Sequence, residues 1–204
     1  AKAAFRAGRV FDNTVAGIGT DGRTFWDPAN VGNYSVAFGN NTRASGDVSF
    51  AAGINTIASG TNATAFGAGT EASSSAATAM GNETTASAAN ATAMGRQTTA
   101  SGTEATAMGT STTASGDASV ATGSITTASG DNATSMGFAT IASGADATAM
   151  GSETNATGFI ATAMGFDTEA SSDFATAMGK ETTASGEAAY DWQGEAWSVP
   201  VNVI

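Results

Sequence analysis

The stretch ATAMGRQTTASGTE, residues 91–104, decides the fold because close copies of it recur through most of the chain. Aligned on Gly95, the copies follow one another every fourteen residues, without insertion or deletion between residues 35 and 188. The eleven copies share one anchor glycine, at Gly39, Gly53, Gly67, Gly81, Gly95, Gly109, Gly123, Gly137, Gly151, Gly165 and Gly179. Eleven copies in one register predict a repeat architecture in which each unit packs only on its neighbours.

The period of the repeat indicates β-structure. Helical hairpin repeats need about 33 residues or more, whereas a unit of fourteen fits a coil of two short strands and two turns. We expect the anchor glycine to take a positive φ at one corner of the coil, where other residues are disfavoured. The second corner, at the position of Gly102, holds Ser74, Ala88 or Ser172 in three copies, which predicts a less strained backbone there.

The Ala-Thr-Ala-Met segment predicts a strand whose side chains alternate between two sides. One side receives Ala or Ser, and such small residues suit a flattened coil whose two walls nearly touch. The other side receives a row of large apolar residues, here called the Met stripe: Phe38, Phe66, Met80, Met94, Met108, Met136, Met150, Met164 and Met178. Soluble monomers seldom expose such a row, so we expect chains to associate along it. The alternative, a stripe inside the coil, stays open.

Composition argues against several classes of function. The net charge of −11 argues against a groove for nucleic acid and against attraction to anionic lipid. The chain has no Cys and no His, so thiolate metal sites, disulfides and His-dependent catalysis are excluded. No apolar run of about 18 residues predicts a membrane-spanning helix. We therefore expect a chain that is not an enzyme, that needs no cofactor or metal, and that does not insert into a membrane.

The charged residues occupy the variable positions of the repeat. They fall one, two, four, eight or nine residues after the anchor glycine, and none falls in the Ala-Thr-Ala-Met strand. We expect these positions to face water and the constant positions to face protein. Asp117 and Asp131 recur in neighbouring copies, but the nine-residue pattern of a calcium β-roll is missing, so we interpret them as solvated surface.

The two ends differ from the repeat. Residues 1–34 and 189–204 carry all the Trp and Tyr residues of the chain, and the candidate end contacts are Phe5, Trp26, Trp192 and Trp197. A solenoid needs distinct terminal units because an open last coil is an exposed edge. We predict that both segments cap the coil, and docking of neighbouring domains or subunits is the alternative.

The copy SVAFGNNTRASGD, residues 35–47, closely resembles the head repeat of YadA-like trimeric autotransporter adhesins. The resemblance covers residues 35–188 and implies an all-β, left-handed parallel β-roll, three chains around one axis, and display on a bacterial surface. The opening AAFRAG at residues 3–8 is similar to the lead-in of β-roll segments in bacterial and phage surface fibres. Later copies replace the family's Val-Ala-Ile with Thr-Ala-Met.

Three functions remain open from the sequence. The first is the trimeric β-roll head of an extracellular adhesin, which binds a host or surface macromolecule through repeated weak contacts. The second is a subunit of an extracellular filament or phage tail fibre, joined end to end through its aromatic ends, with strand addition by residues 198–204. The third is a monomeric ice-binding β-solenoid, suggested by the constant Thr three residues after each anchor glycine. A bond from that Thr to its own turn is the simpler explanation.

Overall fold

A computed structural model describes residues 4–9, 30–186 and 188–193, and it shows a parallel β-solenoid built from two sheets. Each repeat contributes a five-residue strand to one sheet and a two-residue strand to the other. The thirteen-stranded sheet and the eleven-stranded sheet stack these strands in chain order, so each coil lies between its two neighbours in sequence. The predicted all-β solenoid with a fourteen-residue spacing is confirmed.

The strands of the long sheet consist of β1 (Phe5–Arg9), β2 (Val36–Asn40), β4 (Phe50–Ile54), β6 (Thr64–Ala68), β8 (Thr78–Asn82), β10 (Thr92–Arg96), β12 (Thr106–Thr110), β14 (Val120–Ser124), β16 (Thr134–Phe138), β18 (Thr148–Ser152), β20 (Thr162–Phe166), β22 (Thr176–Lys180) and β24 (Tyr190–Gln193). Those of the short sheet are β3 (Arg43–Ala44), β5 (Ile57–Ala58), β7 (Glu71–Ala72), β9 (Thr85–Ala86), β11 (Thr99–Ala100), β13 (Thr113–Ala114), β15 (Thr127–Ala128), β17 (Ile141–Ala142), β19 (Asn155–Ala156), β21 (Glu169–Ala170) and β23 (Thr183–Ala184).

The register places equivalent residues of successive coils side by side. Met94 pairs with Met108 and Gly95 pairs with Gly109, and the same fourteen-residue offset holds for the other repeat strands. Each vertical set of equivalent residues is called a column below. Adjacent parallel strands lie about 4.8 Å apart, so a column repeats one chemical group at that spacing along the rod.

The inside of the coil is filled by alanine. The Ala two residues before the anchor glycine and the Ala five residues after it are both buried, as Ala107 and Ala114 illustrate. Ser135 replaces the first of these in one coil, and its hydroxyl lies 2.7 Å from the hydroxyl of Thr140, the residue just before β17. The buried side chains of residues 35–184 are all Ala, Ser or Thr, so only small side chains fill the space between the two sheets, as the alternation of the strand predicted.

The anchor glycines take φ values from 117° to 134°, which confirms their predicted positive φ. The second corner shows no positive φ at its glycines, but a Cβ added at Gly102 would lie 2.0 Å from the carbonyl oxygen of Gly116. The backbone N–H of Gly102 also donates a hydrogen bond to the carbonyl oxygen of Ala114 in the next coil, with 3.4 Å between nitrogen and oxygen. No such bond forms at Ser74, so this corner accepts a Cβ only where the local hydrogen bonding changes.

Two further positions in each coil have a positive φ, at Gly69 and otherwise at residues other than glycine, and the sequence did not reveal them. They lie two and nine residues after the anchor glycine, and their φ values cluster between 51° and 61°. Asn, Asp and Glu occupy many of these corners, but β-branched Val48, Ile125 and Ile160 also do. A β-branched residue is strongly disfavoured in this conformation, so the packing of neighbouring coils must impose it.

The solenoid continues beyond the repeats at both ends. Phe5 pairs with Val36 and Gly8 pairs with Gly39, so β1 adds a strand to the long sheet although residues 1–34 lack the repeat pattern. At the other end Asp191 in β24 takes the inward position of Ala177, and its carboxylate accepts a hydrogen bond of 3.1 Å from the backbone N–H of Thr183. An inward-pointing charge is one device by which proteins end a sheet.

We expect Ala107→Leu to lower the free energy of unfolding by about 1–3 kcal/mol, because the wall opposite leaves no room for three more carbons. Ala107→Ser should change stability by less than about 1 kcal/mol, because its hydroxyl can reach Thr112 as Ser135 reaches Thr140. Thr106→Leu is the matched control, since Thr106 points outward from the same strand. Thermal and urea denaturation measure all three, and equal losses for both leucine variants would contradict a close-walled interior.

Candidate functional site

The Met stripe lies on the outer face of the long sheet. None of its nine residues is buried, and Phe66 and Met178 expose 54% and 44% of their surface. The coil interior behind them is occupied by alanine, so the stripe does not fill the inside of the coil. The nine residues belong to one column, in which Met80, Met94 and Met108 stand side by side on β8, β10 and β12.

A second outward column runs beside the stripe, two residues earlier in each coil. It holds Thr in eight coils, from Thr64 to Thr176, and its side chains are partly buried. In two coils the order of sizes is reversed, with Phe50 beside Ala52 and Val120 beside Thr122. The outer face is therefore a ribbon of two columns, one of them mostly Thr and the other mostly Met.

The predicted end contacts fall in different places. Phe5 packs on the first residue of the stripe, with its ring centre 5.2 Å from that of Phe38. Trp192 lies in β24, in register with Met178, so the backbone continues the stripe column by one position. Trp26 and Trp197 lie outside the described residues. The structure thus brings Phe5 and the backbone of Trp192 to the two ends of one face.

The constant Thr column lies inside the coil. All eleven residues are at most 1% exposed, so this column cannot present an ice-binding face. In the described chain ten of the eleven hydroxyls find no hydrogen-bond partner, and only Thr140 bonds, to Ser135. The prediction that each hydroxyl bonds its own turn is wrong. The hydroxyl points into the alanine interior instead, where nothing polar meets it except the one serine.

Thr112→Val should raise the free energy of unfolding by about 1 kcal/mol. The substitution keeps the branched shape and removes a buried hydroxyl whose desolvation is uncompensated. Thr140→Val is the matched control, because it removes the hydroxyl that meets Ser135 and should not stabilise the chain. Urea denaturation of both variants measures the difference. A loss of stability in Thr112→Val would mean that the hydroxyl has a partner in solution.

The aspartates of the second corner are more than solvated surface. The carboxylate of Asp117 accepts a hydrogen bond of 2.8 Å from the backbone N–H of Thr103 in the preceding coil. Asp131 does the same for the N–H of Asp117, and Asp173 for that of Phe159. These carboxylates link successive coils, so they stabilise the stack. Among the described residues, no group of three or more Asp and Glu could hold a metal ion.

Sequence reasoning missed an aromatic pair at the same corner. Phe159 and Phe174 come from adjacent coils, and their ring centres lie 5.6 Å apart in an edge-to-face arrangement. Both are more than 40% exposed, with Ile160 beside them. The signal was hard to find, because these residues occupy variable positions that are polar in most other coils.

The geometry is that of a parallel β-solenoid with an apolar outer face, and one comparison decides the family. The family model described as the YadA head domain repeat matches residues 31–56, 44–70, 72–98, 100–124, 128–154, 156–182 and 170–189. The chain belongs to the YadA head repeat family. No curated protein matches the chain. In the part of the chain that the structure describes, no helix has the length and hydropathy to cross a membrane.

Membership in the YadA head family confirms the resemblance seen in the first repeat. The matches cover the repeat block and extend to residue 31, where the structure already shows the second corner of a coil. A YadA head is a structural repeat of adhesins and not a known enzyme family. Its outer faces, and not a pocket with catalytic groups, are therefore the candidate functional surface.

Proposed function

We propose that this chain is the trimeric, non-enzymatic β-roll head of an extracellular adhesin on a bacterial surface. The observation that carries the proposal is the Met stripe, an apolar column on the outside of a coil whose inside is already filled by alanine. The stripe contributes nothing to the interior of its own chain. Three chains packed around one axis would bury it, and trimers are the known assembly of YadA heads.

The remaining outer surface suits adhesion by repetition. The short sheet presents one outward residue per coil, such as Thr99 or Glu169, and the corners present the charged positions. Three chains of eleven coils would repeat these groups along a rod about 50 Å long. Many weak contacts along such a rod add up through valency, without a concave binding site.

The mass of the chain in solution tests the proposal. One chain has a mass of 19.8 kDa, so a trimer gives about 59 kDa by light scattering after size exclusion. We expect this mass to stay constant across a concentration series. A monomer would contradict the proposal, and open-ended polymers would favour the filament subunit instead.

A separate experiment tests whether the trimer is adhesive. Beads coated with the natural chain and beads coated with a monomeric stripe variant, at equal chain density, are compared for retention on cultured epithelial cells under flow. Stronger retention of the beads that carry the natural chain would support adhesion through the repeated outer faces of the trimer. Equal, background retention of both would leave the trimer as a passive spacer and contradict an adhesive head.

A further inference from the structure

A uniform repeat creates a difficulty for the proposed trimer. The coils are nearly identical, so a chain that slides along its partners by one coil, about 4.8 Å, places Met against Met again. Seven of the eight stripe positions from residue 80 to residue 178 are Met, and the neighbouring column is Thr in the same seven coils. Nothing in those seven coils distinguishes the aligned arrangement from the shifted one.

Four coils depart from this pattern: two keep a large apolar residue in the stripe, Phe38 or Phe66, and the other two place a small or polar residue there. In the coil of β14 the outward pair is Val120 and Thr122, where the coils on either side have Thr and Met. In the coil of β4 the pair is Phe50 and Ala52. In both coils the stripe position becomes small or polar, and the neighbouring column holds an apolar residue, Phe50 or Val120, where most coils have Thr; these two are called the reversed coils below. The interior of these coils is unchanged, since Ala51 and Ala121 are fully buried like their equivalents.

In the coil of β14 the single chain does not require the change. Thr122 faces away from its own core and is partly exposed, so Met would be accommodated there as it is at Met108 and Met136 on the adjacent strands. The coil of β4 is accommodated within its own chain, because Phe50 packs on Phe38 with ring centres 6.4 Å apart and Ala52 is 8% exposed between Phe38 and Phe66. A polar Thr122 in the Met stripe, which its own chain does not need, is explained by what the face meets in a partner.

We infer that these two reversed coils set the register of the trimer, an inference that rests on the proposed trimeric assembly. In the aligned trimer three Thr122 hydroxyls meet and can bond one another around the axis. When one chain shifts by one coil, its Thr122 hydroxyl faces Met108 or Met136 of the other two chains, where it loses its hydrogen-bond partners and stays desolvated. The same shift places Ala52 against a phenylalanine of the neighbouring chain and leaves a void beside Phe50. A single polar residue in an apolar seam fixes the register of coiled coils in the same manner.

Methionine methyl signals in an NMR spectrum report the register directly, because all seven methionines lie in the stripe. A symmetric trimer with one register gives seven ¹³C-methyl signals. A variant with F50T, A52M, V120T and T122M gives both reversed coils the Thr-Ala-Met pattern of seven other coils, and it is called the levelled variant below. It has nine methionines, and we expect clearly more than nine signals, because several registers become populated.

Two further variants make the test specific. T127M adds a methionine on the short sheet in the same coil as Thr122, so it should show eight signals and one register. The relocated variant adds T148V and M150T to the levelled chain, which moves the reversed coil elsewhere. It has eight methionines and should return to eight signals. This rescue would not occur if the extra signals of the levelled chain came from partial unfolding.

Light scattering on the same samples separates the two proposals. If the natural chain is not a trimer, the proposed assembly fails and the inference fails with it. If the natural chain is a trimer with seven signals and the levelled trimer shows only nine, the reversed coils do not set the register and only this inference is wrong. Extra signals in a levelled trimer, removed by relocation, support it.

Discussion

Chains that carry glutamate at both Met108 and Met136 are expected to be monomers at micromolar concentrations, where the natural chain is proposed to be a trimer. Both residues lie on the outer face of the long sheet, about 40% exposed in the single chain. Full burial of an exposed methionine contributes about 1.5–3 kcal/mol, association would bury only the part of each side chain that is still exposed, and the variant removes six such side chains from a trimer. It also gains six carboxylates close to one axis, where their mutual repulsion and desolvation oppose association.

The matched control places the same charge on the opposite sheet. Thr113→Glu and Thr127→Glu lie on the short sheet, in a column that already holds Glu71 and Glu169. The control should keep the mass of the natural chain, as measured by light scattering at several protein concentrations. Dissociation of both variants would mean that net charge alone disrupts the assembly, and persistence of the stripe variant as a trimer would place the interface elsewhere.

Replacing one anchor glycine by alanine should destabilise the solenoid more than adding a single methyl group at any other position. Gly109 has a φ of 126°, and a Cβ there would lie 2.0 Å from the carbonyl oxygen of Gly123 in the next coil. Backbone strain of about 1–3 kcal/mol therefore adds to an overlap with backbone that has no flexible end to move. We expect Gly109→Ala to lower the free energy of unfolding by about 3 kcal/mol or more.

Gly69→Ala separates the two causes of this loss. Gly69 also has a positive φ, of 64°, but its added Cβ would meet only ordinary contacts at 3.6 Å or more. Ala139 occupies the equivalent position in another coil with a φ of 51°. The control should cost about 1 kcal/mol, and urea denaturation measures both variants. Equal losses would show that the positive φ, and not the close approach of the next coil, makes the anchor glycine necessary.

The sequence by itself determined the architecture of this protein. A period of fourteen, one anchor glycine per period and alternating small and large residues leave room for few folds other than a narrow β-coil. These patterns can be recognised in the sequence because each coil repeats the same local conformation. The same structural requirement therefore selects the same residue type at the same position in eleven coils. The interior of alanine and the positive φ at the anchor glycines follow from the same repetition, as Ala107 and Gly109 illustrate.

Only the tertiary structure showed which side of the coil the Met stripe and the constant Thr column face, and what the residues outside the repeat pattern contact. Alternation places Met and Ala on opposite sides of a strand, but only the burial of the alanines and the exposure of the stripe show that Met lies outside. The Thr column points inward without bonding, which no local turn rule predicts. Phe5 joins the sheet although more than twenty residues separate β1 from β2, and Asp191 ends it by bonding Thr183. The contacts of Phe5 and Asp191 are each present only once, so no periodic pattern in the sequence predicts them.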